Sequence, residues 1–277
     1  MATWLITGAS RGLGAEIARA ALAGGDTVAV AVRNPDRLPE DLKNAERVFP
    51  VALDVTDTEA IAPAVASVAE RFGGIDVLVN NAGRGLLGAV EEVSDAEARS
   101  LFDLNVFGLI NVTRAVLPYL REAGGGKIVH IGSRSGFEGE PGVGLYSASK
   151  FAVAGISEAL AAELAPFGIQ SMVVEPGVFR TDFLDQSSLS VPAHRVAAYD
   201  GTPAHSTLDW VDDANHTQLG DPVKGAALIR EVVGADKLPG HLLLGADALD
   251  RWQVKVERVA DDVQAWREKS VATAHQD

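Results

Sequence analysis

Short apolar runs alternate with stretches of helical periodicity from one end of this 277-residue chain to the other. The runs fall at 4–6, 28–32, 48–53, 77–79, 128–131, 172–174 and 242–244, and several set valine or isoleucine in succession. Such runs suit strands covered on both faces. Between them, 12–22, 58–72, 95–120, 146–167 and 221–233 place apolar residues at helical spacing. Alternation of this kind implies βαβ units around a parallel sheet, and right-handed crossovers make the sheet doubly wound. The expected fold class is α/β, with one Rossmann-type domain over 1–277 and about seven strands. No internal repeat or low-complexity linker divides it.

Two segments leave the pattern. Residues 182–220 are irregular and rich in small polar residues, as a lid over a site would be. This lid holds six aspartates against the single Arg195, and it carries Phe183, Tyr199 and Trp210. The tail, 247–277, sets Trp252, Val256, Val259, Val263 and Trp266 at steps of 4, 3, 4 and 3. A helix is expected there, its stripe packed on its own domain.

Composition narrows the classes. The chain has no cysteine, which removes disulfides, thiolate nucleophiles and thiolate metal sites. Its net charge of −14 argues against nucleic acid and anionic membrane surfaces as partners. No run reaches the length of an apolar span, and the opening MATWLITGAS lacks a signal-peptide pattern. A cytoplasmic location is the expectation. The six histidines show no metal-ligand spacing, so no metal is expected.

The first run ends in a loop that carries Gly8, Ser10, Arg11, Gly12, Leu13 and Gly14, and a helical pattern follows at once. Glycines there permit a tight turn and a close backbone approach to a pyrophosphate. The helix start offers N–H groups and a positive dipole end. Val32 and Arg33 stand where an NAD site usually has an acid for the ribose 2′-hydroxyl. Arg33 and Arg11 suit a 2′-phosphate instead, so NADP is the expected coenzyme. Asp54 and Val55 follow the third run, with Asp54 suited to an adenine amino group. Asn81, Ala82 and Gly83 follow the fourth, at the carboxyl end of the sheet.

Tyr146 and Lys150 stand four apart at a helix start and share a face. A nearby ammonium lowers the pKa of a phenol, which is about 10 unperturbed. Ser133 ends the fifth run, where its hydroxyl can hold a substrate oxygen. Asn105 is a polar amide among apolar neighbours and needs partners.

TGASRGLG, NNAG, the asparagine of LNV, the serine of IGS, YSASK and PGVFRT together resemble the short-chain dehydrogenase/reductase family. Gaps of 28, 13 and 4 residues along Asn105, Ser133, Tyr146 and Lys150 match the family's tetrad. NNAGRGLLGAVEEVS and LLLGADAL are similar to its 17β-hydroxysteroid dehydrogenase-like branch, although Gly132 stands where that branch often has a serine. The resemblance implies Tyr146 as the general acid in reduction and Ser133 as the group orienting the carbonyl. It implies that Lys150 binds the nicotinamide ribose, and that Asn105 anchors a water relaying protons from Lys150. Pro176, Gly177, Val178 and Thr181 would hold the carboxamide and flank the phosphates. The expected activity is NADPH-dependent reduction of a neutral ketone or aldehyde, reversible to alcohol oxidation. The family's usual assembly implies a homodimer or homotetramer through 95–120 and 146–167. A non-catalytic NADP-binding redox sensor is the competing reading, though such relatives typically lack the Tyr or Lys. A hydratase or epimerase on the same scaffold is a third.

Overall fold

All seven apolar runs form strands: β1 (Thr3–Thr7), β2 (Thr27–Val32), β3 (Val48–Ala52), β4 (Val77–Asn80), β6 (Gly126–Ile131), β7 (Ile169–Pro176) and β9 (His241–Leu244). The structure, a computed structural model, describes residues 1–275. Two further strands, β5 (Gly85–Leu86) and β8 (Leu189–Ser190), pair apart from the main sheet. The helices are α1 (Gly12–Ala23), α2 (Glu40–Lys43), α3 (Thr58–Phe72), α4 (Asp95–Phe102), α5 (Leu109–Glu122), α6 (Gly144–Leu164), α7 (Pro203–Ala214), α8 (Pro222–Gly234) and α9 (Ala246–Val271). The main sheet is parallel throughout, in the order β3-β2-β1-β4-β6-β7-β9.

Side chains alternate across a strand, and the two cores follow that period. Trp4, Ile6, Val28 and Val30 face Ile17 of α1 and Ile229 of α8. Leu5, Ala29 and Leu78 face Val65 of α3 and Val112 and Val116 of α5. Both faces are therefore dry, which is why the strands read as continuous apolar runs. Chain order reverses between β1 and β4. Loops leaving those two strands at their carboxyl ends diverge and open a crevice there.

The helical run 95–122 is long and apolar enough to cross a membrane. Leu101, Val112, Val116 and Leu120 spend its apolar face in the cores instead. A π-helical turn at Asp103–Gly108 interrupts it between α4 and α5. Local periodicity does not show that turn, because it shifts the register by a single residue.

The lid is more regular than its sequence suggests. It holds β8, α7 and two 3₁₀ turns, at Asp182–Leu184 and Ala197–Tyr199. A proline at the first position of α7 and the parallel pairing of β8 with β5 give it order. Glu92, which is buried, pins it to the body. One Glu92 oxygen accepts from the Val196 N–H at 2.8 Å and meets His205 Nε2 at 2.8 Å, while His205 Nδ1 meets Asp200 at 3.0 Å. The Val196 N–H holds this carboxyl down to about 2, against the opposing push of burial, with His205 and the Ala89 N–H adding to it. A depressed carboxyl stabilises the folded state above its ordinary value of 4.5 and loses that contribution as pH falls through about 2. Hydrogen exchange in 189–205 should therefore rise between these limits before the sheet yields. Glu92→Gln should show the loosened lid at neutral pH; equal exchange in the two proteins would refute the anchor.

The C-terminal stripe corrects an expectation. The helix predicted over 247–277 starts at Ala246 and ends at Val271, and 276–277 lie outside the described residues. Trp252, Val256, Val259, Val263 and Trp266 are 41–60% exposed rather than packed on their own domain.

Candidate active site

A cavity of about 1410 Å³ lies over the carboxyl ends of β1, β4, β6 and β7. Its floor at the first crossover is the glycine loop. Gly8 and Gly12 have φ of +68° and +57°, where a side chain is strained. A Cβ on Gly8 would lie 2.9 Å from Ala82 Cα. One on Gly14 would lie 2.3 Å from Asn81 Nδ2 and 2.8 Å from the Gly8 carbonyl. No side chain caps α1, and its first turn holds no acid, so Gly12 and Leu13 present backbone N–H groups and the positive helix end to the cavity. This chemistry fits a pyrophosphate.

Asn81 borders the cavity, and its side chain braces the floor. Its Nδ2 donates to the Thr7 and Gly8 carbonyls at 2.9 and 3.0 Å, and Thr7 Oγ1 accepts from the Asn81 and Ala82 N–H groups. The amide thus ties the β4 loop to the glycine loop and fixes the floor rather than reaching upward. Because Asn81 is pinned at both carbonyls, Gly14→Ala cannot be absorbed by rotating it. We expect this variant to lose about 1–3 kcal/mol of stability and to bind dinucleotide more weakly, as read by urea unfolding and coenzyme titration. Unaltered unfolding would show that the loop gives way more easily than this geometry implies.

The far end of the floor carries the adenosine candidates. Val32 is buried at the end of β2 and borders the cavity. Arg33 is exposed beside it, and Ser10 and Val55 also line the wall. Asp54 accepts from Thr56 N and Oγ1 at 3.0 and 2.7 Å. Burial raises its pKa, but those two bonds and the Arg33 charge outweigh it and leave the carboxyl below its ordinary value. Arg11 departs from expectation. Its guanidinium donates to Ser187 Oγ and to the Ser187 carbonyl at 2.7 and 3.1 Å, and to Ser188 Oγ at 2.6 Å. It clasps the lid to the glycine loop, having found acceptors that lie far off in sequence.

Tyr146 and Lys150 stand side by side on α6, both buried, with Lys150 Nζ 5.8 Å from the centre of the tyrosine ring. Lys150 donates to the Ile131 carbonyl at 2.8 Å, and burial lowers its pKa to about 8. Burial also pushes Tyr146 up to about 12, opposed by its bond with the Ser133 hydroxyl; Glu140 adds to the rise and Arg134 opposes it. The expected depression of the phenol by Lys150 is therefore reversed in the protein itself, because desolvation disfavours the phenolate more than nearby groups favour it. Ser133 caps the 3₁₀ turn Arg134–Gly136, accepting from Ser135 N at 3.1 Å. Gly132 is set by packing: a Cβ there would lie 2.7 Å from Val173 Cγ2.

Asn105 sits in the π-helical turn and is buried. Its Oδ1 accepts from Arg84 N at 3.0 Å, and its Nδ2 donates to the Arg84 carbonyl at 2.9 Å and to Ser149 Oγ at 3.2 Å. Gly83 leaves a gap beside it: a Cβ there would lie 3.2 Å from Asn105 Oδ1 and 3.8 Å from Lys150 Nζ. Ser133, Tyr146 and Lys150 thus line the cavity, with Asn105 buried beside Gly83.

At the strand β7 exit, Pro176, Gly177 and Val178 line the wall, and Thr181 packs against Gly12. Here the structure differs again. The Val178 N–H donates to Asp247 Oδ2 at 2.9 Å and its carbonyl accepts from Gly220 N at 3.0 Å. Neither group is free for a carboxamide in this arrangement.

The charged rim was not read from the sequence. Arg134 pairs with Glu140 at 3.3 Å and with Asp247 at 2.9 Å, and Arg251 pairs with Glu138 and Glu140 at 3.1 and 3.3 Å. Glu140 lies six residues past Arg134, whereas Asp247 and Arg251 come from the far end of the chain. Of the lid aromatics, Phe183 and Trp210 reach the cavity, and Phe183 lies 5.9 Å from the Tyr146 ring. Tyr199 turns away to donate to Glu91 at 2.8 Å. The fold also gathers Asp182, Asp185 and His216, whose spacing in sequence shows no ligand pattern. Asp185 and His216 meet each other at 3.2 Å.

Comparison with known proteins shows the family. Residues 2–190 match the family model described as short chain dehydrogenase. Oxidoreductase BOA17 of Botryotinia fuckeliana is 40% identical over 273 residues, 98% of each chain. A short-chain dehydrogenase from Streptomyces avermitilis superposes with a TM-score of 0.91 at 41% identity, covering 99% of both chains. A variant of actinorhodin polyketide ketoreductase, solved with NADPH, has a TM-score of 0.73 at 31% identity over 87% of this chain and 94% of its own. With Ser133, Tyr146 and Lys150 lining a cavity floored by the glycine loop, this chain belongs to the short-chain dehydrogenase family, whose members bind a nicotinamide coenzyme and act on CH–OH and C=O groups.

Proposed function

We propose that this protein is an NADPH-dependent carbonyl reductase, working in reverse as an NADP-dependent alcohol dehydrogenase. The observation that carries the reading is Tyr146, protonated and buried against Lys150 on the wall facing the glycine cradle. The coenzyme supplies or accepts the hydride. A phenol held at about 12 keeps its proton at neutral pH, so Tyr146 is ready to donate it to a carbonyl oxygen as charge develops there. Ser133 borders the same cavity and orients that oxygen. Lys150 sits where it can hold a ribose hydroxyl and return a proton to Tyr146. The gap left by Gly83 between Asn105 and Lys150 suits a relaying water. Asp54 serves the adenine end and Arg33 the 2′-phosphate.

The substrate end favours a neutral, apolar carbonyl. Leu86, Leu87, Phe183, Leu189, Trp210 and Val211 line it. The neighbouring Arg134 and Arg251 are already paired with carboxylates, so they offer little to an acidic carrier. A panel of ketones, followed by loss of NADPH absorbance, tests both points. Neutral aryl or alicyclic ketones should give higher kcat/KM than acetoacetyl thioesters. A preference for thioesters would overturn the substrate reading, and no turnover on any carbonyl would leave a sensor. The assembly in this reading is a homodimer or homotetramer through α4–α5 and α6, where Phe107 and Phe151 are exposed.

A further inference from the structure

We infer that α9 is a self-association arm, which pairs antiparallel with the α9 of a second copy of this chain. Helix α9 runs 26 residues, about 39 Å, and little of it past Arg251 touches the body. It is rooted by a polar edge. Asp247 accepts from the Val178 N–H and pairs with Arg134, Arg251 pairs with Glu138, and Arg258 lies 3.8 Å from Glu138. At 100° per residue these three residues lie within about 40° of one another. Leu249, Trp252, Val256, Val259, Val263 and Trp266 lie roughly 130° round the helix and point away from the body. They are 41–60% exposed. A surface helix ordinarily presents the opposite arrangement, with its apolar edge inward.

The stripe repeats at steps of 3 and 4 from Leu249 to Trp266, the a and d positions of a heptad. A seam that narrow fits one other helix. Its own sequence completes the register. Setting α9 antiparallel about a twofold axis between Glu257 and Arg258 pairs Leu249 with Trp266 of the second copy, Trp252 with Val263 and Val256 with Val259. Each indole then meets a smaller side chain, and the twofold repeats all three layers. In a parallel pair Trp252 would meet Trp252 and Trp266 would meet Trp266.

Charge agrees with this register. The g positions hold Lys255 and Asp262, which come opposite each other across the antiparallel seam, twice by symmetry. The contact is isologous and closes as a twofold pair. The two bodies lie at opposite ends, so they do not compete for space. This surface is separate from α4–α5 and α6.

Light scattering of the full chain tests the pairing. Val256→Glu with Val259→Glu should halve the mass at micromolar concentration, while turnover per chain and the far-UV spectrum stay unchanged. Lys255→Asp should weaken assembly, and adding Asp262→Lys should restore it. An unchanged mass in the valine variant, or no restoration by the charge exchange, would overturn the proposal. Direction is read separately, because the chain has no cysteine of its own. Leu249→Cys chains mixed with Trp266→Cys chains should cross-link with a short bismaleimide into mixed pairs. Like-with-like pairs alone would refute the antiparallel register, and an absence of cross-links would refute contact along the stripe.

Discussion

Tyr146→Phe is expected to bind NADPH as the unmodified protein does and to lose at least ~10²-fold in turnover. The phenyl ring keeps its neighbours: Tyr146 is buried and packs against Phe183 and the Leu86, Leu87 and Leu189 cluster. Only the hydroxyl is removed, so the change isolates proton transfer from folding and from coenzyme binding. The effect should be large because no other acid stands ready. Lys150 is tethered to the Ile131 carbonyl, and Glu140 is paired with Arg134. Burial sets the size of the loss as well, since a buried phenol donates where water cannot easily replace it. Steady-state rates with one ketone and a fluorescence titration of NADPH measure the two halves. Turnover within a few-fold of the unmodified enzyme would show that Tyr146 is not the proton donor.

The coenzyme preference should respond next most strongly. Val32 offers nothing to a ribose 2′-hydroxyl, and no acid stands beside it to repel a phosphate. Arg33 borders the cavity and is exposed. A hydrogen bond to a charged group contributes about 1.5–3 kcal/mol, and solvent holds an exposed one at the low end. Arg33 alone then gives roughly tenfold in favour of NADPH. Sequence position gives Arg11 an equal share. With its guanidinium on Ser187 and Ser188, however, Arg11 acts first on the lid. Arg33→Ala should therefore erase about tenfold of the preference, whereas Arg11→Ala should mainly raise KM for both coenzymes. Adding Val32→Asp to Arg33→Ala should invert the preference, because the acid repels the phosphate and serves a free ribose. The measurement is kcat/KM for NADPH and NADH on one ketone at fixed ionic strength. A preference unmoved by Arg33→Ala would remove Arg33 from the phosphate site.

The strands and the glycine loop were legible in the chain because each rests on local spacing, while Asn105, Ser133, Tyr146 and Lys150 were picked out as a set by resemblance to the family. A strand buried on both faces needs consecutive apolar residues, so seven runs announce seven strands. Tyr146 and Lys150 share a helix face at four residues apart whatever surrounds them. Gly8 and Gly12 answer to positive φ within one turn, whereas Gly14 is also set by Asn81 of the β4 loop. What only the tertiary structure decided depends on partners distant in sequence. Arg11 met Ser187 rather than a ribose, and Asp247 came to rest on the Val178 N–H. Asn81 turned downward to brace the loop beneath it. The sign of the Tyr146 shift reversed because burial belongs to the fold, not to a dipeptide spacing. The α9 stripe reads the same in sequence whether it faces in or out. Its outward orientation was decided by Asp247, Arg251 and Arg258, which dock the opposite edge. Spacing fixes which side chains share a face, and only the packed chain fixes what that face meets.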